Sequence, residues 1–137
     1  AKSAISGQKA FPVTNTYLAE VFTQVGAPPG LFNVIHGLGG EAGDALVRHS
    51  QVKAVSFTGG TQTGKTIAAT AAPALKKLSL ELGGKNPSLV FEDCDFEATV
   101  AGTARAAFFN SGQVCLCGSR ILVESQLHDK FTSALVE

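Results

Sequence analysis

Strand-like and helix-like stretches alternate along this chain, and the strand-like ones in its first part stop at glycine. "LFNVIHG" closes at Gly37, "VKAVSFTGG" runs into Gly59 and Gly60, and "LKKLSLELGG" runs into Gly83 and Gly84. Between them lie stretches with the helical period. In "PVTNTYLAEVFTQVGA", Tyr17, Leu18, Val21, Phe22 and Val25 recur at helical spacing, with Pro12 near the start and Gly26 at the end. "GGEAGDALVRHS" predicts a short helix with Glu41 and Asp44 early and Arg48 and His49 late, as the helix dipole favours. "KTIAATAA" predicts another, cut short by Pro73. Helix, strand, helix, strand, helix, strand up to residue 82 predicts an α/β fold with a parallel sheet and right-handed crossovers. Residues 1–11 show no clear period.

"LGGKNP" breaks this rhythm and marks a predicted domain boundary, 1–82 against 83–137. Beyond it, "PSLVFED" and "SRILVES" read as strands. "DFEATVAGTARAAFFNSG" reads as an amphipathic helix with Asp95 as N-cap, and "QLHDKFTSALVE" begins a further helix.

Composition removes several classes of function. The 137 residues suffice for one modest domain or two incomplete pieces. The formal net charge is +0 and both signs are mixed along the chain, which argues against a nucleic-acid partner. No apolar run reaches membrane-spanning length, and the first residues do not resemble a signal peptide. Cys94, Cys115 and Cys117 are too few and odd in number for a disulfide framework, so a reducing, cytoplasmic compartment is expected. His36, His49 and His128 are scattered and give no metal-ligand spacing with the cysteines, so no metal site is predicted.

Three stretches carry candidate chemistry. "FTGGTQTGKT" contains G-x-x-x-x-G-K-T at residues 59–66, the spelling of a nucleotide-hydrolase phosphate loop. A strand, a glycine turn and a helix start make an anion site for general reasons, so the spelling argues for phosphate without fixing the nucleotide. "SLELGGK" places one acid, Glu81, in a strand of leucines just before two glycines. A carboxylate there can act as a general base or stand solvated at a strand end. "FFNSGQVCLCGSR" runs from a helix into a cysteine pair. A thiolate stabilised by backbone N–H groups is a nucleophile, whereas a buried thiol is packing. An extended segment would put Cys115 and Cys117 on one side.

Taken in order, "FTGGTQTGK", "LELGGKNP" and "NSGQVCLCGSR" resemble the aldehyde dehydrogenase superfamily, and "GAPPGLFNVIHG" is similar to the segment the family carries just upstream. Cys115 follows Glu81 by 34 residues (115 − 81), the family's spacing of base and nucleophile. Three ordered motifs make the hydrolase spelling accidental. The resemblance implies a partial Rossmann-type NAD-binding domain followed by the start of an α/β catalytic domain. It implies a catalytic Cys115 and a general base Glu81, acting on a small-molecule aldehyde through a thiohemiacetal and a thioester. It implies that Phe57 and Thr58 bind the cofactor and that Gly59, Gly60 and the residues through Gly64 face its pyrophosphate. Gly37, Gly39 and Gly43 fall beside the adenosine half, and Leu82 and Gly83 beside the nicotinamide. The subgroup most similar is that of the aminomuconate and hydroxymuconate semialdehyde dehydrogenases.

The match has departures. Gly60 stands where most members have serine. Ser6, Gly7, Gln8 and Lys9 stand where "KPSE" would mark the ribose contacts, so NAD is implied without excluding NADP. The family subunit, expected to be a homo-oligomer, is several times longer. Its upstream "PWN" asparagine is absent and Asn110 does not replace it. The chain therefore reads as a fragment of such an enzyme, with an inactive fragment as the non-enzymatic alternative.

Overall fold

A computed structural model describes residues 3–7 and 12–137. Among the described residues six strands and five α-helices follow one another: β1 Ser3–Gly7, α1 Pro12–Gln24, β2 Phe32–His36, α2 Asp44–Arg48, β3 Ala54–Gly59, α3 Thr61–Ala71, β4 Lys77–Leu82, β5 Pro87–Val90, α4 Phe96–Phe108, β6 Arg120–Val123 and α5 His128–Val136. The predicted alternation stands, with two differences. "SAISG" is a strand that the local pattern did not show, because its pairing comes from a distant partner: β1 runs parallel to β2, Ser3 opposite Phe32 through Gly7 opposite His36. Among the described residues the strands form three two-stranded sheets, β1–β2, β3–β4 and β5–β6, so the predicted parallel pairing is divided among short sheets. Of the positions standing at the missing "KPSE", Ser6 and Gly7 lie in β1, while Gln8 and Lys9 lie outside the described residues.

The chain divides into two compact units, one of Ala1–Phe57 with Lys65–Ser79 and one of Thr58–Gly64 with Leu80–Glu137. Both β3 and β4 change unit part-way along. In the first unit, Phe22 of α1 stacks on Phe32 of β2 at 4.4 Å between centroids. The remaining apolar positions of α1 that set its period, Tyr17, Leu18 and Val21, are exposed, as is Val25 just beyond it. The Lys76 ammonium donates to the carbonyls of Val47 and His49, the last turn of α2, where a cation meets the negative end of the helix.

The second unit is built on the parallel pair β5–β6, with Pro87 opposite Arg120 and Val90 opposite Val123. Its core holds Val90, Ala107, Cys117 and Phe131, the last fully buried. Phe131 of α5 meets Phe96 of α4 edge-on at 6.0 Å, and the Lys130 ammonium lies 4.2 Å from the same Phe96 ring. Asp95 caps α4 as predicted, its Oδ1 accepting from Ala98 N at 3.2 Å. No helix among the described residues is long and apolar enough to cross a membrane.

Candidate active site

The cysteine turn begins where α4 runs out. Asn110 (φ 52°), Ser111 (φ 58°) and Gly112 (φ 71°) are three successive left-handed residues. Glycine takes this conformation freely, but each non-glycine residue there costs about 1–2 kcal/mol, and such strain gathers at functional sites. The run reverses the chain and delivers a tight turn over 114–117, closed by Cys117 N donating to Val114 O at 3.0 Å. Gly118 N then donates to Ala106 O of α4 at 3.1 Å. A Cβ on Gly118 would lie 2.2 Å from Ser88 Oγ, so any larger residue there would have to displace the Ser88 hydroxyl.

The turn separates the two thiols. Cys115 is exposed, while Cys117 is 5% exposed and part of the core. An extended segment would have put them on one side; the turn sends them to different surroundings. Cys115 is thus reachable by a substrate, and Cys117 packs as a small apolar group.

Glu81 is exposed near the end of β4, and the next residue, Leu82, fixes the glycine segment. A Cβ on Gly64 would lie 2.6 Å from Leu82 Cδ2, so the close approach of α3 to Leu82 depends on glycine. Thr61 Oγ1 donates to Gly83 O at 3.2 Å. Gly64 is already helical, its N–H donating to Gly60 O at 3.0 Å. The helix starts at Thr61, so residues 61–66 form its first turns and no open phosphate loop runs between Gly59 and Gly64. This backbone removes the hydrolase alternative, in which free loop N–H groups wrap the phosphates.

A cavity of about 310 Å³ in the second unit gathers six of the predicted site residues: Thr58, Gly59, Glu81, Leu82, Gly83 and Cys115. Five wall residues were not foreseen: Gly84, Lys85, Gly112, Gln113 and Val114. Gly84 and Lys85 continue the "LELGGK" motif and Gly112, Gln113 and Val114 precede the cysteine, so adjacency to the motifs was the signal available. Gly60 and Gly64 belong to the same unit, whereas Gly37, Gly39, Gly43 and Phe57 belong to the first. A second cavity, about 330 Å³, is lined by Arg105, Phe109, Leu116 and Cys117 and shares Val114 with the first. Among the described residues no group of three or more His, Cys, Asp or Glu side chains gathers to hold a metal ion.

Comparison with known proteins places these motifs. The model of the aldehyde dehydrogenase family matches residues 6–137. The chain is 50% identical over 127 residues to the 2-aminomuconic 6-semialdehyde dehydrogenase of a Pseudomonas species, covering 92% of this chain and 26% of that protein. It is 49% identical to the mitochondrial succinate-semialdehyde dehydrogenase of Arabidopsis thaliana, covering 92% of this chain and 24% of that one. The crystal structure of betaine aldehyde dehydrogenase from Staphylococcus aureus in complex with NAD+ superimposes with a TM-score of 0.92 at 43% identity, over 98% of this chain and 27% of the other. The chain spans about a quarter of the length of the curated relatives it matches.

Proposed function

Because the chain belongs to the aldehyde dehydrogenase family, we propose that it is the segment of an NAD-dependent dehydrogenase that carries the nucleophile, the general base and part of the cofactor cradle. The observation that carries this reading is that Glu81, Cys115 and the start of the glycine segment, Thr58 and Gly59, line one cavity. A carboxylate and an exposed thiol on one wall suit covalent catalysis followed by base-assisted hydrolysis.

The glycine segment fits a dinucleotide. A Cβ at Gly60 or Gly83 would meet nothing within 4 Å, so backbone there is open to approach. Gly60 also sits directly before an 11-residue helix, whose unpaired N–H groups and dipole favour an anion. Gly59, Gly60 and the start of α3 would hold the pyrophosphate, and Leu82 and Gly83 would flank the nicotinamide. Gly37, Gly39 and Gly43 of the first unit would serve the adenosine half. When bound, NAD+ supplies the hydride acceptor.

The chain's own residues supply the rest. The Cys115 thiolate attacks the aldehyde carbon and forms a thiohemiacetal, whose oxyanion the backbone N–H of Cys115 helps to hold. The oxidised adduct is a thioester on the same sulfur. Glu81 then takes a proton from water, the hydroxide adds to the thioester carbon, and the acid leaves as the thiolate is restored. We place the substrate among the semialdehydes of dicarboxylic acids, on the support of the two curated relatives above. The same reading divides the sequence near residue 82 into a partial NAD-binding part and the opening of the catalytic part. It also sets the whole enzyme in the cytoplasm as a homo-oligomer, a compartment that suits three free thiols.

The test is Glu81→Gln in the full-length enzyme carrying this segment. Mixing with aldehyde and NAD+ should give a burst of reduced nicotinamide and then a steady rate lowered by about 10²-fold or more. Mass spectrometry should find the acyl group on the peptide containing Cys115. Full steady turnover would remove Glu81 from the mechanism.

A further inference from the structure

We propose that Asn86 is the positioning residue of the nucleophile: its side-chain amide holds the backbone of the cysteine turn and so sets where the Cys115 thiol stands relative to Glu81. The proposal rests on the assignment of Cys115 and Glu81 made above. Asn86 Nδ2 donates to Cys115 O at 2.8 Å and to Cys117 O at 3.3 Å. One nitrogen with two N–H groups thus grips both ends of the Cys115–Cys117 turn. Among neutral side chains only the amides of Asn and Gln offer two donors on one atom, and Asn is the shorter.

The grip is held from a fixed point. Asn86 O accepts from Arg120 N at 3.2 Å, and Lys85 O accepts from Arg120 Nε at 2.9 Å. The next residue, Pro87, opens β5 opposite Arg120. Asn86 therefore sits at the end of a paired strand, and five residues upstream (86 − 81) on the same segment stands Glu81. By covalent bonds alone the base and the nucleophile are joined through the whole of α4. Through Asn86 they are joined by six residues and one hydrogen bond.

The turn needs such a tie. It follows the left-handed run of Asn110, Ser111 and Gly112, and apolar packing anchors it at Cys117 while Cys115 itself is exposed. Among the described residues, the hydrogen bond from Asn86 is the one made to the Cys115 backbone. Its N–H is left over for the oxyanion.

Asn86→Asp keeps the shape of the side chain but turns the donor pair into an acceptor facing two carbonyls, with a negative charge beside the thiolate. Asn86→Ala removes the grip without adding charge. In the full-length enzyme, Cys115 alkylation by iodoacetamide would be followed against pH without aldehyde or cofactor, beside the burst of reduced nicotinamide and the thermal midpoint. Asn86→Asp should move the alkylation profile to higher pH and slow the burst by about 10²-fold, the scale of an ångström of misplacement. Asn86→Ala should slow the burst by about 10-fold, with a smaller shift of the profile. If Asn86→Asp does not stay folded at the assay temperature, the alanine variant decides. An unchanged profile and burst in the folded variant, with or without a lower thermal midpoint, would overturn the proposal and leave Asn86 a structural clamp. Cys115→Ala runs alongside: retained oxidation there would sink the functional assignment itself, whatever Asn86 does.

Discussion

Residues 59–66 and residues 110–118 both join a regular element to candidate chemistry through glycine, yet they are made in opposite ways. The first stretch spells a phosphate loop and is a helix from Thr61 onward. Its geometry is closed locally, by Gly64 N on Gly60 O and the turns that follow. The second spells nothing periodic and is a left-handed turn whose shape comes from elsewhere, from Ala106 O, from Asn86 and from the space beside Ser88. The difference shows that a motif's letters carry chemistry only through which backbone groups are left free. In a helix the i→i−4 bonds use them up beyond the first turn, whereas in an irregular turn the neighbours decide.

That contrast can be broken most severely at the thiols. Cys115→Ala in the full-length enzyme should lower aldehyde oxidation by about three orders of magnitude or more, because no other exposed thiol lines the cavity. Cys117→Ala should keep the rate within a few-fold and lower stability by roughly 1 kcal/mol, the cost of trimming a buried apolar group. Steady-state kinetics and thermal unfolding on the pair check this, and reversed effects would assign the nucleophile to the wrong thiol.

The helical stretch should respond through packing. Gly64→Ala gains about 1 kcal/mol of helix propensity but drives a methyl group into Leu82, an overpacking that costs about 1–3 kcal/mol. The net expectation is a destabilisation of about 1 kcal/mol, with a rise in KM for NAD+ as Leu82 is pushed along the cavity wall. Adding Leu82→Ala should cost less in the Gly64→Ala background than alone. Strict additivity of the two in thermal unfolding would remove the contact from the account. The smallest effect is expected at Lys65→Ala. Lys65 is exposed in the second turn of α3, so oxidation should stay within about two-fold by the standard of ordinary surface substitutions. Magnesium-dependent ATP hydrolysis lost on this change would restore the phosphate-loop assignment.

What could be read from the letters follows the same division. The helices α1, α3, α4 and α5 and the strands β2 to β6 showed as local periods, and the Asp95 cap as a local pattern. β1 did not, because "SAISG" has no alternation of its own and is held by a parallel partner nearly thirty residues on. The motif residues Glu81 and Cys115 stood out, but Asn86 and Gly118 did not. Their contacts, with Cys115 and Cys117 and with Ser88 and Ala106, cross about thirty positions or fewer and leave no period behind. The separate fates of Cys115 and Cys117 were hidden for a related reason. Spacing in an extended strand places both on one side, and only the left-handed run reveals the turn.

The interleaving of the two units gives the site an order in time. A ribosome adds about 5–20 residues per second, from the N-terminus onward. Gly64 acquires its packing partner only when Leu82 is made, and the cavity is closed only when Cys115 is, 51 residues beyond Gly64 (115 − 64), roughly 3–10 s later at those rates. Of all the wall residues Cys115 is the last to be synthesised. The carboxylate side of the cavity is therefore laid down before the thiol exists.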